Sequence, residues 1–165
     1  ITVCVLDNGT TAMTGKQPHP GTGATLMGTQ STPIAIDGVL RALGFGCITY
    51  ANPLKLDEAV AAAKEAIDYP GPSAVIFASP CIQLIKPAAP VRVDEQACTG
   101  CKLCISAIGC PGLGFDPAAA GPRSKQRGQA FVDPGQCNGC GLCTQLCSFN
   151  AIVPASAQGK EAAHA

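Results

Sequence analysis

The sequence predicts an α/β chain in two parts, a portion of an open parallel β-sheet domain followed by a small α+β domain built around cysteines. Three observations predict it. Over residues 1–86 short apolar runs rich in β-branched residues alternate with helical stretches. A Lys86–Pro90 stretch (KPAAP) then breaks the pattern, and beyond it eight of the eleven cysteines fall in two tight runs. With 165 residues, 47% of them hydrophobic, the chain can bury cores of this size. Lys+Arg 11 balance Asp+Glu 11, and no basic run is present to neutralise a row of phosphates, so no nucleic-acid partner is expected. No apolar run reaches the roughly 18 to 20 residues of a membrane span, and the start lacks the charged region of a secretory signal. The expectation is therefore no membrane and a cytoplasmic location.

Taken in order, Ile1–Leu6 (ITVCVL) reads as a buried strand. No initiator methionine and no element precede it, which gives the expectation of a C-terminal fragment of a longer chain. Residues 7–33 are rich in Gly, Thr and Pro and form a long loop after a strand end, where ligands of α/β sheets bind. The bland alternative is a mobile surface loop. Ile34–Leu43 reads as a helix stopped by Gly44, and Gly46–Ala51 as a weaker strand. Lys55–Ile67 reads as a second helix with Leu56, Val60, Ala63 and Ile67 on one face, before the strand Ser73–Ala78 (SAVIFA). A β-α-β-α-β order implies parallel strands. The expected domains are 1–86, 87–155 and a flexible tail at 156–165. In the second, Val91–Val93 and Ala130–Val132 are strand candidates that each lead into a cysteine run, and 117–128 is a polar connector.

The first run is Cys98, Cys101, Cys104 and Cys110, and the second is Cys137, Cys140, Cys143 and Cys147. Three thiolates at C-x2-C-x2-C spacing can bind three irons of one cuboidal cluster, and in two-cluster ferredoxins the fourth cysteine of each run serves the other cluster. Two [4Fe-4S] clusters follow, one on Cys98, Cys101, Cys104 and Cys147, the other on Cys137, Cys140, Cys143 and Cys110. Structural zinc would instead call for two separated cysteine pairs per ion. Two deviations stand out: five residues rather than three separate Cys104 from Cys110, and Ser148 stands where a proline usually follows the last cysteine. Ile105, Ile108, Leu142, Leu146, Phe149, Ile152 and Val153 are the expected apolar shell, while Gly100, Gly139 and Gly141 would allow close backbone approach. The scattered Cys4, Cys47 and Cys81 are expected to be core residues.

The run Leu6–Gly23 (LDNGTTAMTGKQPHPGTG) resembles the cofactor loop of the thiamine-diphosphate-dependent 2-oxoacid:ferredoxin oxidoreductases. In that family the subunit bearing this loop ends in two ferredoxin-like cysteine runs, the first with a lengthened final spacing ending in Gly-Cys-Pro, as at Gly109–Pro111. The resemblance covers nearly the whole chain. It implies the C-terminal half of a thiamine-diphosphate-binding parallel-sheet domain, followed by a ferredoxin-like 2[4Fe-4S] domain. It implies Mg2+ held by the Asn8 side chain and the Thr10 carbonyl, with Thr11, Met13, Thr14 and Gly15 along the thiamine diphosphate. His19 is the one catalytic candidate, set against a merely solvated loop histidine. The acidic Mg2+ ligand that the family carries in an upstream Gly-Asp motif is absent here. The reaction implied is oxidative decarboxylation of an aryl 2-oxoacid with coenzyme A as acyl acceptor, thiamine serving as electron sink. A smaller (beta) subunit and ferredoxin are the implied partners. Two alternatives stay open: an electron-carrying subunit without thiamine, and the same enzyme class acting on pyruvate, 2-oxoglutarate or phenylglyoxylate.

Overall fold

A computed structural model describes residues 1–155; the expected tail at 156–165 lies outside the described residues. The chain divides into two compact units, Ile1–Lys86 and a second that begins at Pro87.

The first unit is a parallel sheet of β1 (Thr2–Asp7), β2 (Cys47–Ala51) and β3 (Ser73–Ala78) in the order β1-β3-β2. Helix α1 (Ile36–Ala42) connects β1 to β2 and α2 (Leu56–Asp68) connects β2 to β3. Central β3 buries both faces. Ala74 and Ile76 meet Leu40 of α1 with Val3, Val5 and Ile48, while Val75 meets Ala51 together with Ala62 and Ala66 of α2. The face of α2 that packs on the sheet is therefore its alanine face. Thr49 and Ser73 donate hydroxyl hydrogen bonds to the Ala62 and Ala66 carbonyls at 3.2 and 2.6 Å. Only side chains as small as alanine admit the sheet that close, so of the expected stripe Val60 and Ile67 stay 57% and 67% exposed.

Two expectations fail at β1. The strand is not buried, because it lies at the edge of the sheet: Ile1 and Leu6 are largely exposed, and so is Cys4, which is no core residue. Cys47 and Cys81 are half-buried. The long loop is locally ordered by 3-10 turns at Ala12–Thr14 and Pro20–Thr22 and by isolated bridges Thr11–Gln17 and Ala24–Gln30.

The second unit consists of β4 (Val91–Val93), α3 (Leu103–Ile108), β5 (Leu113–Asp116), β6 (Gln129–Val132), α4 (Leu142–Leu146) and β7 (Ile152–Pro154). Strand β4 pairs antiparallel with β7, and β5 with β6. Each ladder thus joins the approach to one cysteine run with the exit from the other. The core holds Val91, Leu113, Ala130, Ala151 and Ile152 with Cys98, Cys104 and Cys143, and Ile105 and Ile108 pack against it. Phe149, expected in the apolar shell, is 38% exposed. The connector is more than a polar link: Ser124 is fully buried and accepts from the Gly121 amide at 2.9 Å. Buried Gln129 donates through Nε2 to the Glu95 carbonyl at 2.7 Å and, longer, to Cys98 O at 3.4 Å.

Candidate metal centres and cofactor loop

The two cysteine runs are set up alike. Strand β4 leads to Asp94, whose carbonyl accepts from the Cys98 amide at 2.9 Å; β6 leads to Asp133, whose carbonyl accepts from the Cys137 amide at 3.0 Å. The Asp94 amide in turn donates to Ala151 O at 2.7 Å, and the Asp133 amide to Gly112 O at 2.9 Å. Those two bonds tie the entry of each run to the residues just after the other run's last cysteine. The chain crossing required by the cysteine spacing is therefore a consequence of strand pairing.

The thiols are brought together accordingly. Cys98, Cys101, Cys104 and Cys147 line one recess, and Cys110, Cys137, Cys140 and Cys143 line a second. Electrostatics group them the same way. Burial, followed by Cys101, Cys147 and Cys98, raises the Cys104 thiol above its ordinary value. Burial, followed by Cys140, Cys137 and Cys110, pushes Cys143 up to about 11. The Ala151 amide donates to Cys147 Sγ at 3.2 Å, the kind of N–H···S contact that tunes an iron–sulfur cluster. Among the described residues no group of three or more His, Cys, Asp or Glu side chains is gathered closely enough to hold a single ion. The two C-x2-C-x2-C trios, each completed by the last cysteine of the other run, suit cuboidal clusters, whereas structural zinc is bound through separated cysteine pairs. The donor set fits two clusters.

Glycines at the turns have a sharper reason than approach to a cluster. Gly100 and Gly139 have φ of +71° and +72°, and a Cβ on either would lie 2.4 Å from a backbone oxygen, Gly128 O and Ala89 O respectively. Gly141 (φ +77°) precedes α4, and its counterpart before α3 is Lys102, held at φ +64°. The two additional residues before Cys110 are taken up by a longer α3 and by Gly109 in the left-handed region, its amide bonded to Ile105 O. A residue missed in the sequence is Thr99. Its hydroxyl is buried, has no partner among the described residues, and belongs to a residue lining the first recess. In the second run Asn138 stands there, and its Oδ1 accepts from the Cys140 amide at 3.1 Å.

In the first unit the cofactor loop leaves the carboxyl end of β1. Asn8 Oδ1 accepts from the Thr10 amide at 3.1 Å, and buried Thr10 donates through its hydroxyl to Gln17 O at 3.2 Å. The Thr11 amide bonds the same Gln17 carbonyl at 3.0 Å. Among the described residues the Thr10 carbonyl accepts no hydrogen bond. One amide oxygen with a lone pair to spare and one unengaged carbonyl on a rigid turn are hard donors suited to Mg2+. Thr14 bonds Gln17 Oε1, Gly15 takes φ +105°, and Met13 is 98% exposed. His19 caps the turn Pro20–Thr22, its Nδ1 accepting from the Gly21 amide at 3.2 Å while its own amide donates to Thr22 Oγ1. Only Nε2 is left to meet a ligand. A nearby cavity is lined by Asp7, Asp37 and Tyr50, none of them singled out by the sequence; partial burial and then the Asp37 carboxylate raise the Tyr50 phenol above its usual range.

Residues 1–77 match the thiamine pyrophosphate enzyme C-terminal TPP-binding domain, and residues 90–148 match the 4Fe-4S dicluster domain. The chain is 38% identical over 160 residues to the indolepyruvate oxidoreductase subunit IorA of Pyrococcus abyssi, covering 92% of this chain and 23% of that protein. Over nearly its whole length the chain is similar to a portion of this indolepyruvate oxidoreductase subunit. The subunit of the same name from Methanothermobacter marburgensis is 35% identical over 91% of this chain and 23% of its own length. That of Archaeoglobus fulgidus is 32% identical over 92% of this chain and 24% of its own length. The chain thus spans about a quarter of the length of these relatives. No solved structure gives a significant match. The first unit is accordingly a thiamine-diphosphate-binding α/β domain segment and the second a 2[4Fe-4S] domain. Among the described residues no helix is long and apolar enough to cross a membrane.

Proposed function

We propose that this chain belongs to a 2-oxoacid:ferredoxin oxidoreductase, in which its first unit grips the diphosphate end of thiamine and its second conducts electrons outward. The observation that carries the reading is the gathering of eight thiols into two crossed sets of four, in a chain whose other unit matches a thiamine domain. When bound, thiamine diphosphate supplies an electron sink for a decarboxylating 2-oxoacid, and each cluster takes up one electron. The chain's own residues do the holding. Asn8 Oδ1 and the Thr10 carbonyl would ligate Mg2+, with Thr11, Met13, Thr14 and Gly15 along the cofactor. Cys98, Cys101, Cys104 and Cys147 would hold one cluster, and Cys110, Cys137, Cys140 and Cys143 the other. His19 Nε2 is the one loop imidazole nitrogen free to donate to substrate or cofactor.

The substrate proposed is an aryl 2-oxoacid of the indolepyruvate type with coenzyme A as acyl acceptor, in a cytoplasmic complex with a smaller beta subunit and ferredoxin. Its support is the name shared by the three relatives above. The test is anaerobic purification of the whole parent subunit with its co-purifying partner, followed by iron, sulfide, zinc and thiamine analysis of one sample. About eight irons together with thiamine are expected. Eight irons without thiamine would make the chain part of an electron carrier, and zinc in place of iron would overturn the cluster assignment. A 2-oxoacid screen with coenzyme A and ferredoxin then reads the substrate.

A further inference from the structure

The two recesses differ in the charge around them. No charged residue lines the recess of Cys110, Cys137, Cys140 and Cys143. The recess of Cys98, Cys101, Cys104 and Cys147 is lined by Lys102, and two arginines stand beside residues of its lining. Arg123 lies with its guanidinium 5.1 Å from the ring centroid of Phe149, which lines that recess. Arg127 is the nearest side chain to Gly100, its Cβ 3.3 Å from where a glycine Cβ would stand. The connector that carries both arginines also carries Lys125, and no carboxylate. All four cations are exposed, and none forms an ion pair among the described residues, where the only pairs are Arg41–Asp37 and Lys55–Glu58. Two apolar side chains of the same lining are open to solvent, Leu103 at 43% and Phe149 at 38%. An apolar centre with a charged rim is the anatomy of a transient protein interface, and unpaired charge of one sign steers a partner of the other.

We infer that this face, over the cluster site of Cys98, Cys101, Cys104 and Cys147, is where an acidic one-electron carrier protein docks, and that electrons leave the chain there. The inference rests on the reading of the second unit as a two-cluster conductor. In the transfer one electron passes from the reduced cluster to the oxidised carrier, with no bond made or broken and no proton moved.

The test is direct binding of an acidic bacterial-type ferredoxin to the anaerobically purified parent complex, as a function of salt. Binding weakens about tenfold between low and physiological ionic strength if rim charges guide it. Arg123→Glu with Arg127→Glu weakens it by about tenfold more at low salt, with iron content unchanged. Gln136→Glu, which puts the same negative charge at the other recess, leaves binding close to that of the parent. Salt-independent binding overturns the inference, and so does a Gln136→Glu loss as large as that of the arginine pair. If the double variant loses iron, Arg123→Gln alone is read in its place. Should the complex bind ferredoxin in this way yet contain no thiamine, the enzymatic reading fails and the docking face stands.

Discussion

The two cysteine half-domains share one plan and differ in what stabilises it. Each enters from a strand through an aspartate whose carbonyl holds the first cysteine, turns at a left-handed glycine, and starts a short helix at the third cysteine's neighbour. The first half then departs from the pattern. A strained lysine, Lys102, replaces the glycine before the helix, and Gln129 from β6 clamps the turn through Glu95 O. An orphaned hydroxyl, Thr99, stands where Asn138 caps the second turn. Ladders β4–β7 and β5–β6 impose the shared plan, so function can diverge only in the turns between ladder and helix.

The largest test of the plan is to cut one crossing. Cys147→Ser should remove the cluster built on Cys98, Cys101 and Cys104, although Cys147 belongs to the other run. Iron should fall from about eight to about four per chain. Cys110→Ser should do the converse, and the surviving signal in electron paramagnetic resonance should differ between the two. If Cys147→Ser instead abolishes the signal that Cys110→Ser abolishes, the strand pairing does not dictate ligation.

Next in size are the turns. Gly139→Ala would drive a methyl to 2.4 Å from Ala89 O at φ +72°, a clash with backbone that is relieved only by shifting the metal turn or the segment before β4. The expected loss is about 2 to 4 kcal/mol. Lys102→Gly should do the opposite, relieving left-handed strain for a gain of about 1 kcal/mol. Denaturation midpoints of the iron-loaded variants under anaerobic conditions compare the two, and a destabilising Lys102→Gly would show that the Lys102–Phe115 contact, 4.0 Å from Nζ to the ring centroid, outweighs the strain.

Much of the fold was legible in the residues, for identifiable reasons. The strands of the first unit could be read because β-branched runs such as Ser73–Ala78 have no competing pattern. The apolar stripe of α2 misled because Val60 and Ile67 outweigh alanine in hydrophobicity, while the sheet selected for smallness at Ala62 and Ala66. Helices α3 and α4 escaped notice because they are six and five residues long, begin at left-handed residues and have no side-chain cap. Strands β5 and β7 carry a glycine and a proline, Gly114 and Pro154, which weaken a strand signal. The grouping of the cysteines was legible because cluster geometry constrains spacing directly. The role of His19 as a cap had a signal, a Thr three positions on, that resembles the start of a capping box. Gln129 and Thr99 had none, since a polar side chain turned inward is invisible without its partners.

Proton competition separates the halves more finely. Iron binds the thiolate, so loading each site releases protons, and affinity rises with pH up to the metal-free thiol's own pKa. A raised pKa stretches that window upward: with Cys143 at about 11, protons compete across the whole range below it. Cys104 is raised as well, by burial and by Cys101, Cys147 and Cys98, but less far. On anaerobic acidification the Cys137 cluster should therefore be released at a higher pH than the Cys98 cluster, as followed by cluster-resolved spectra. Release in the reverse order would mean that the cation-rich rim, and not thiol burial, sets the difference.

The smallest effect concerns Thr99. A hydroxyl left without a partner in the wall of a thiol-lined recess can donate to a sulfur, and hydrogen bonds to sulfur raise a cluster's potential by stabilising its more negative, reduced form. Thr99→Val keeps the shape of the side chain and deletes the donor, so the first cluster's potential should drop while the second stays where it was. Thr99→Ser should restore it. The companion change Asn138→Val acts elsewhere: it removes the acceptor of the Cys140 amide, so its cost should appear in stability, at about 1 kcal/mol, more than in potential. A redox titration of both variants distinguishes a tuned cluster from a merely supported one, because only loss of a donor aimed at sulfur shifts one potential and leaves the denaturation midpoint unchanged.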